Sequence, residues 1–395
     1  MGKVFLLLFT LNILIGCNDY SPILENRNTR DTISLFNSNI GQQSVKLSDF
    51  VDSINYYPIP TDDDYLIGQV SNLIVTDSFF IVADKKITHS VFILPKNNTL
   101  KSFIHQHGNG PTEYLRLSDV FFDDTLNEIG IYCNLKKEIL YYHLNGEFSH
   151  KCKIPYYGEY VHPIGKGYLL NTGYKENDIL KYQKTNIYPN LIYFDKESDS
   201  ISLICDNYFK GPVNHSIVWS SNSVFSIWDD TVAIKPDHSN IVYHCTPEGM
   251  FPAHFLDSGE GNIDERFWDK SNEKNMNLNK LEEYCRSENL CEIIRYLESL
   301  DFINFTCRQK GVLVHYIYSK SSKKIFAFKE IENDMDSFAT FYPKTLKGNK
   351  FYGTIPSSSI ALQKELTPNK NIPISLLNTK ENDNPIIIEL TLKKF

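Results

Sequence analysis

Asn127-Glu128-Ile129-Gly130-Ile131-Tyr132-Cys133 is followed by Ile139-Leu140-Tyr141-Tyr142-His143, a turn at Asn145-Gly146, and a third run from Phe148 to Ile154. Each run is short, apolar and rich in β-branched or aromatic side chains, and polar turn residues separate them. That is the signature of an antiparallel meander. The same order recurs on both sides of this stretch. Asp77-Ser78 leads into Phe79–Ala83, Ser90–Leu94 and Leu100–Ile104, and Gly165-Lys166-Gly167 leads into Tyr168–Leu170, Leu191–Phe194 and Ile201–Ile204. Asp229-Asp230 leads into Thr231–Ile234, Ile241–His244 and a run to Phe255, and Lys310-Gly311 leads into Val312–Tyr318 and Lys324–Phe328.

Five copies at intervals of roughly 40 to 60 residues indicate a radial β repeat. A meander of this size cannot bury both faces alone, whereas stacking copies as propeller blades removes most exposed edges. Phe338–Tyr342, Phe351–Ile355 and Pro385–Leu392 can supply a sixth blade. The segment from Ser44–Leu47 to Tyr56–Ile59 is placed to pair with Ile386–Leu390 and close the ring. The expected fold is therefore all-β, a six-bladed β-propeller over 44–395. Two stacked sandwiches are the alternative, since the period does not count blades.

Asp264 to Leu300 breaks the repeat. Leu278, Leu281 and Cys285, then Leu290, Ile293, Ile294 and Leu297, follow helical spacing, and Asn279 with Glu282 suits a helix start. Residues 264–300 are read as a short helical insertion between blades four and five, either a decoration of one rim or a lid over the channel.

At the other end, Met1-Gly2-Lys3, an apolar run from Val4 to Ile15, and Leu14-Ile15-Gly16-Cys17 form a secretory signal too short to span a bilayer. Its last four residues match the bacterial lipobox, making Cys17 the expected lipidation site and 1–17 the removed signal. Polar residues 18–43 read as a flexible tether. The expected location is the cell envelope of a Gram-negative cell, on a lipid anchor at the outer membrane. Composition agrees with a globular export product: 42% hydrophobic, 22% charged, 25 Phe and 24 Tyr against 4 Met. A net charge of −8 without a basic block argues against a nucleic-acid partner. Beyond Cys17 there are seven cysteines, widely spaced and without C-x-x-C, which suit buried thiols better than a metal or redox motif.

Between the first two blades stands His107-Gly108-Asn109-Gly110-Pro111-Thr112-Glu113-Tyr114. With the blade pattern, it resembles the G-x-G-P-x-E-Y loop of six-bladed β-propeller lipoproteins of Bacteroides and relatives. Phe50–Pro60, Leu66–Val70 and Glu381–Ile387 also look like that family's opening strand, lead into blade one and acidic Asn-Pro motif. The resemblance spans the mature chain and implies a propeller and export as a lipoprotein, without an established reaction. Asn109 and Thr112 depart from the basic residue and glycine common there.

The loop also has a local logic: Gly108 and Gly110 permit positive φ, and Pro111 fixes the turn. His107, Gly108, Gly110, Glu113 and Tyr114 are the candidate ligand-binding residues, with Glu113 and Tyr114 expected to enter the inner strand of blade two. The competing reading has Glu113 capping loop amides and Tyr114 wedged between blades. No hydrolase, zincin, nucleotide-binding or EF-hand motif occurs, so no catalytic residue, cofactor or metal is expected. His105 and His107, two apart, lack a third ligand at a diagnostic spacing. Among aromatics, Trp219, Trp228 and Trp268 could stack on sugars, Trp268 being the one expected exposed. The expected function is a non-catalytic binding or scaffolding module for a glycan, a peptide or an envelope protein. A polysaccharide lyase or hydrolase working at the channel mouth is the alternative.

Overall fold

A computed structural model describes residues 31–35, 44–62, 65–96, 102–175, 177, 188–203, 208–209, 225–273, 276–336, 338, 342–366 and 372–395. The lipobox with Cys17, Cys205 and Trp219 lie outside the described residues. Six sheets carry four strands each in meander order, the fourth sheet gaining a fifth strand from the N-terminal side. From the inner strand outward, blade one is Asn72–Val75, Phe79–Asp84, Ser90–Pro95 and Ser102–Ile104, and blade two is Asp119–Asp123, Glu128–Cys133, Glu138–Tyr142 and Phe148–Lys153. Blade three is Tyr160–Ile164, Gly167–Asn171, Leu191–Asp195 and Ser200–Leu203; blade four is Phe225–Trp228, Thr231–Ile234, Ile241–Thr246 and Gly249–Asp257. Blade five is Glu292–Glu298, Phe302–Gln309, Val312–Ser319 and Ile325–Phe328. Thr345–Lys347, Lys350–Ile355 and Ile386–Leu392 make blade six, whose outer strand is Val51–Pro58 from the other end of the chain. The chain is a six-bladed β-propeller.

The apolar runs follow from packing. An apolar cluster fills each interface between neighbouring blades, so the middle strands meet protein on both faces. Ile81, Val82 and Ala83 are all fully buried for that reason, and their run reads as continuous rather than alternating. Ring closure pairs Ile386 with Pro58 through Leu390 with Ile54. Ser44–Lys46 stays out of that sheet and runs parallel to Glu330–Glu332 instead.

Two boundaries differ from the sequence reading. The tether contains a strand, Asp31–Ser34, which extends blade four in parallel to His254–Asp257. Ile33 and Leu35 are buried against the blade-four and blade-five cluster, and that burial explains the ordering. The helical insertion is also shorter than 264–300. Helices cover Glu265–Ser271 and Leu278–Ser287, while Glu292–Glu298 is the inner strand of blade five. Pairing of Ile293 with Cys307 and Leu297 with Asn304 overrides a spacing that fits a helix equally well. The helices start at Asp264 and Asn277, whose side chains accept from the Arg266 and Lys280 amides, rather than at Asn279. Leu281 and Cys285 pack with Tyr174, Phe267 and Leu290. Six described cysteines are free thiols, five of them buried.

Candidate functional site

Residues 105–118 connect the outer strand of blade one to the inner strand of blade two, and the predicted loop sits here. Its ends meet in a bridge between His107 and Tyr114, with the Gly108 amide donating to Tyr114 O at 3.1 Å and the Tyr114 amide to Gln106 O at 2.9 Å. The Glu113 carboxylate folds back and accepts from the Gly110 amide at 2.7 Å. Neither Gly108 nor Gly110 has the positive φ anticipated from sequence. Glycine leaves room for the folded-back carboxylate: a Cβ on Gly108 would stand 2.2 Å from Glu113 Oε2 and one on Gly110 2.9 Å from its Cδ, so Glu113 would have to swing away from the Gly110 amide.

Tyr114 has no solvent exposure and packs in the apolar cluster between blades one and two. Its hydroxyl donates to His89 O at 2.7 Å, and burial pushes the phenol up to about 12. Glu113 and Tyr114 do not enter the inner strand, which begins at Asp119. From blade two, Lys136 Nζ donates to Gly110 O at 3.2 Å and Glu113 O at 2.8 Å, and the Tyr142 hydroxyl to Thr112 O at 2.8 Å. His107 lies on the rim, its Nε2 3.1 Å from Leu115 O and its ring stacked on His89. His105 turns elsewhere, with Nδ1 2.8 Å from Ser90 Oγ. The loop brings all five predicted residues together, and its polar groups are engaged in joining two blades.

The inner strands enclose a second candidate site, a channel cavity of about 640 Å³. Asp119 organises its neck: Oδ1 takes Asn72 Nδ2 at 3.2 Å and Lys85 Nζ at 3.1 Å from blade one, and Oδ2 takes the Val161 amide at 3.1 Å from blade three. One carboxylate thus ties three blades. At the far end Lys347 pairs with Asp77 at 2.7 Å. Phe122, Tyr160, Phe225 and Trp228 contribute aromatic surface to the wall, and Ile227 is 42% exposed there.

His162 is the least expected residue in the wall. It is buried, sits between the Phe121 and Phe225 rings at 5.9 Å from each, and borders both the channel and an adjoining cavity of about 660 Å³. Among the described residues no group hydrogen-bonds to its ring nitrogens. Burial drives its pKa down to about 4, so the imidazole is neutral and offers one donor and one acceptor. Asp124, which lines both cavities, is shifted upward by desolvation. Trp268 is half-buried against Tyr174 and Phe267 rather than exposed. Of the aromatics read from sequence as able to stack on sugars, Trp228 does line the channel; Asp119, Asp124 and His162 escape sequence reasoning because the groups around them come from separate blades. The available signal was a histidine inside a strand-like run, Tyr160–Ile164.

The family described as a domain of unknown function (DUF4934) matches residues 31–391. No curated protein matches the sequence. Among solved structures, a Bacteroides fragilis protein described as exported superimposes with a TM-score of 0.70 at 15% identity, over 92% of this chain and 100% of its own. A member of the DUF4221 family from Bacteroides vulgatus gives 0.42 at 9% identity, covering 87% and 97%. A virginiamycin B lyase of Staphylococcus aureus gives 0.39 at 11%, covering 86% and 99%. The first shares the fold; the other two are too distant to carry an argument.

Proposed function

The chain belongs to the DUF4934 family, and from that premise we propose that it is an envelope lipoprotein whose propeller binds a glycan in its central channel without altering it. The observation that carries this reading is the channel wall. Aromatic faces, an exposed Ile227, a desolvated Asp124 and an unpartnered neutral His162 line one cavity large enough for a few sugar units. Sugars are bound by such combinations, with apolar ring faces on aromatic side chains and hydroxyls on a few polar groups. The Gly108–Tyr114 loop then serves the fold by fixing blade one to blade two. Anchoring rests on Leu14-Ile15-Gly16-Cys17, and likeness to an exported Bacteroides protein supports export.

Screening on paired glycan and peptide arrays tests the site. Ile227→Asp and Asp124→Asn should weaken a glycan hit at least tenfold, with stability changed by no more than about 0.5 kcal/mol. Glu113→Gln and Tyr114→Phe should keep the hit and lower stability, Tyr114→Phe by about 1–3 kcal/mol because His89 O loses its donor, and Glu113→Gln by less because its amide oxygen still accepts from the Gly110 amide. The opposite pattern would move the site to the loop, and hits confined to peptides would exclude a glycan. For the anchor, Cys17→Ala should leave the protein soluble after a high-salt membrane wash. Retention of that variant on membranes counts against acylation.

A further inference from the structure

Behind the channel-lining Trp228, blade four meets blade five at a cluster centred on Glu298, a side chain with no solvent exposure. His244 stands on the third strand of blade four and His254 on the fourth, while Glu298 ends the inner strand of blade five. Both imidazoles bring Nε2 to Oε1, at 3.0 Å from His244 and 2.9 Å from His254, and His244 Nε2 also lies 3.1 Å from Oε2. Lys320 Nζ reaches Oε1 as well, at 2.6 Å. Tyr296 donates to Oε2 at 2.6 Å, and the Ser226 hydroxyl receives the Glu298 amide at 2.9 Å. Three nitrogens thus gather at Oε1, with His244 shared with Oε2, around a carboxylate whose two oxygens offer about four lone-pair sites. His254 also leaves Nδ1 buried without a hydrogen bond.

We propose that His244, His254 and Glu298 bind one divalent transition-metal ion, zinc by preference, which clamps blade four to blade five. Two imidazoles and a carboxylate are a zinc donor set, leaving a fourth position open to water. The three ligand atoms lie within 4.8 Å of one another. Bonds of about 2.0–2.1 Å in a tetrahedron separate ligand atoms by roughly 3.3 Å, so outward movements of a few tenths of an ångström admit the ion. The Lys320 ammonium holds the cation's place. Its side chain is 20% exposed and lies over the Trp228 ring at 4.6 Å, so it can withdraw toward solvent when a dication enters.

The test uses the full chain without a histidine tag, stripped by chelator and titrated with Zn²⁺ by calorimetry and with Co²⁺ by visible absorption. Wild type should take up one equivalent and melt at least about 3 °C higher with zinc in hundredfold excess over Kd. His254→Gln should bind roughly a hundredfold more weakly. Lys320→Met, which removes the competing ammonium, should bind at least tenfold more tightly. Uptake by His254→Gln equal to wild type places the ion elsewhere and overturns the proposal. So does the absence of uptake in both wild type and a cooperatively melting Lys320→Met.

Discussion

Deleting Pro385 to Phe395 is expected to abolish the folded monomer, leaving an aggregating chain without a cooperative melting transition. Ile386–Leu392 does more than cover the rim of blade six. It lies between Lys350–Ile355 and Val51–Pro58, so its removal also strips the only strand that joins the two ends of the chain within that sheet. Ile386, Ile387, Ile388, Leu390 and Leu392 are all at most 3% exposed. At about 1.5–3 kcal/mol for each fully buried side chain, their loss amounts to roughly 8–15 kcal/mol. That matches the whole stability of an ordinary domain, about 5–15 kcal/mol. The unpaired edges of Lys350–Ile355 and Val51–Pro58 would then template association. Size-exclusion chromatography with circular dichroism melting reads the outcome. A monomeric truncation that still melts cooperatively would mean that the ring does not depend on this closure.

How much of this could be read beforehand depended on how local the determining contacts are. The middle strands of each blade were legible because burial on both faces makes runs such as Phe79–Ala83 and Ile129–Cys133 apolar throughout. The inner strands were mostly missed. Asn72–Val75 and Asp119–Asp123 are short and border the channel with polar residues at their ends, so they stand outside the apolar runs that mark each repeat. Glu292–Glu298 was misread for another reason. Seven residues with apolar positions at 293, 294 and 297 satisfy either period, and only pairing with Phe302–Gln309 decides. Gly130, central in its strand, carried a signal that went unused. A Cβ there would meet Phe121 Cζ at 2.1 Å, so the glycine marks where an inner-strand ring folds over its neighbour. The Gly108–Tyr114 loop was found by its spacing, since its bonds span only a few residues. His162 and the Glu298 cluster assemble from separate blades, and no spacing announces them.

The last expected effect concerns His162 and acid. Its folded pKa is about 4 through burial alone, against about 6.5 when the side chain is in water. Between these values the unfolded chain binds more protons than the folded one, so stability rises with pH across this window. The contribution is complete above about pH 6.5 and is lost as pH falls toward 4, a change of about 3 kcal/mol from this single residue. His315, also lowered by burial, acts in the same direction. His162→Phe removes the titration while keeping a ring between Phe121 and Phe225. Urea unfolding at pH 7.5, 5.5 and 4.5 should therefore show the variant losing much less stability than wild type on acidification, with their curves diverging most at pH 4.5. Parallel loss in both proteins would mean that His162 titrates normally, hence that water or another group solvates its ring. A sugar hydroxyl pair bound to the neutral imidazole would deepen the same dependence, because only the unprotonated ring can both donate and accept. The acid sensitivity of wild type should then steepen when a channel ligand is added, and the His162→Phe protein should not respond.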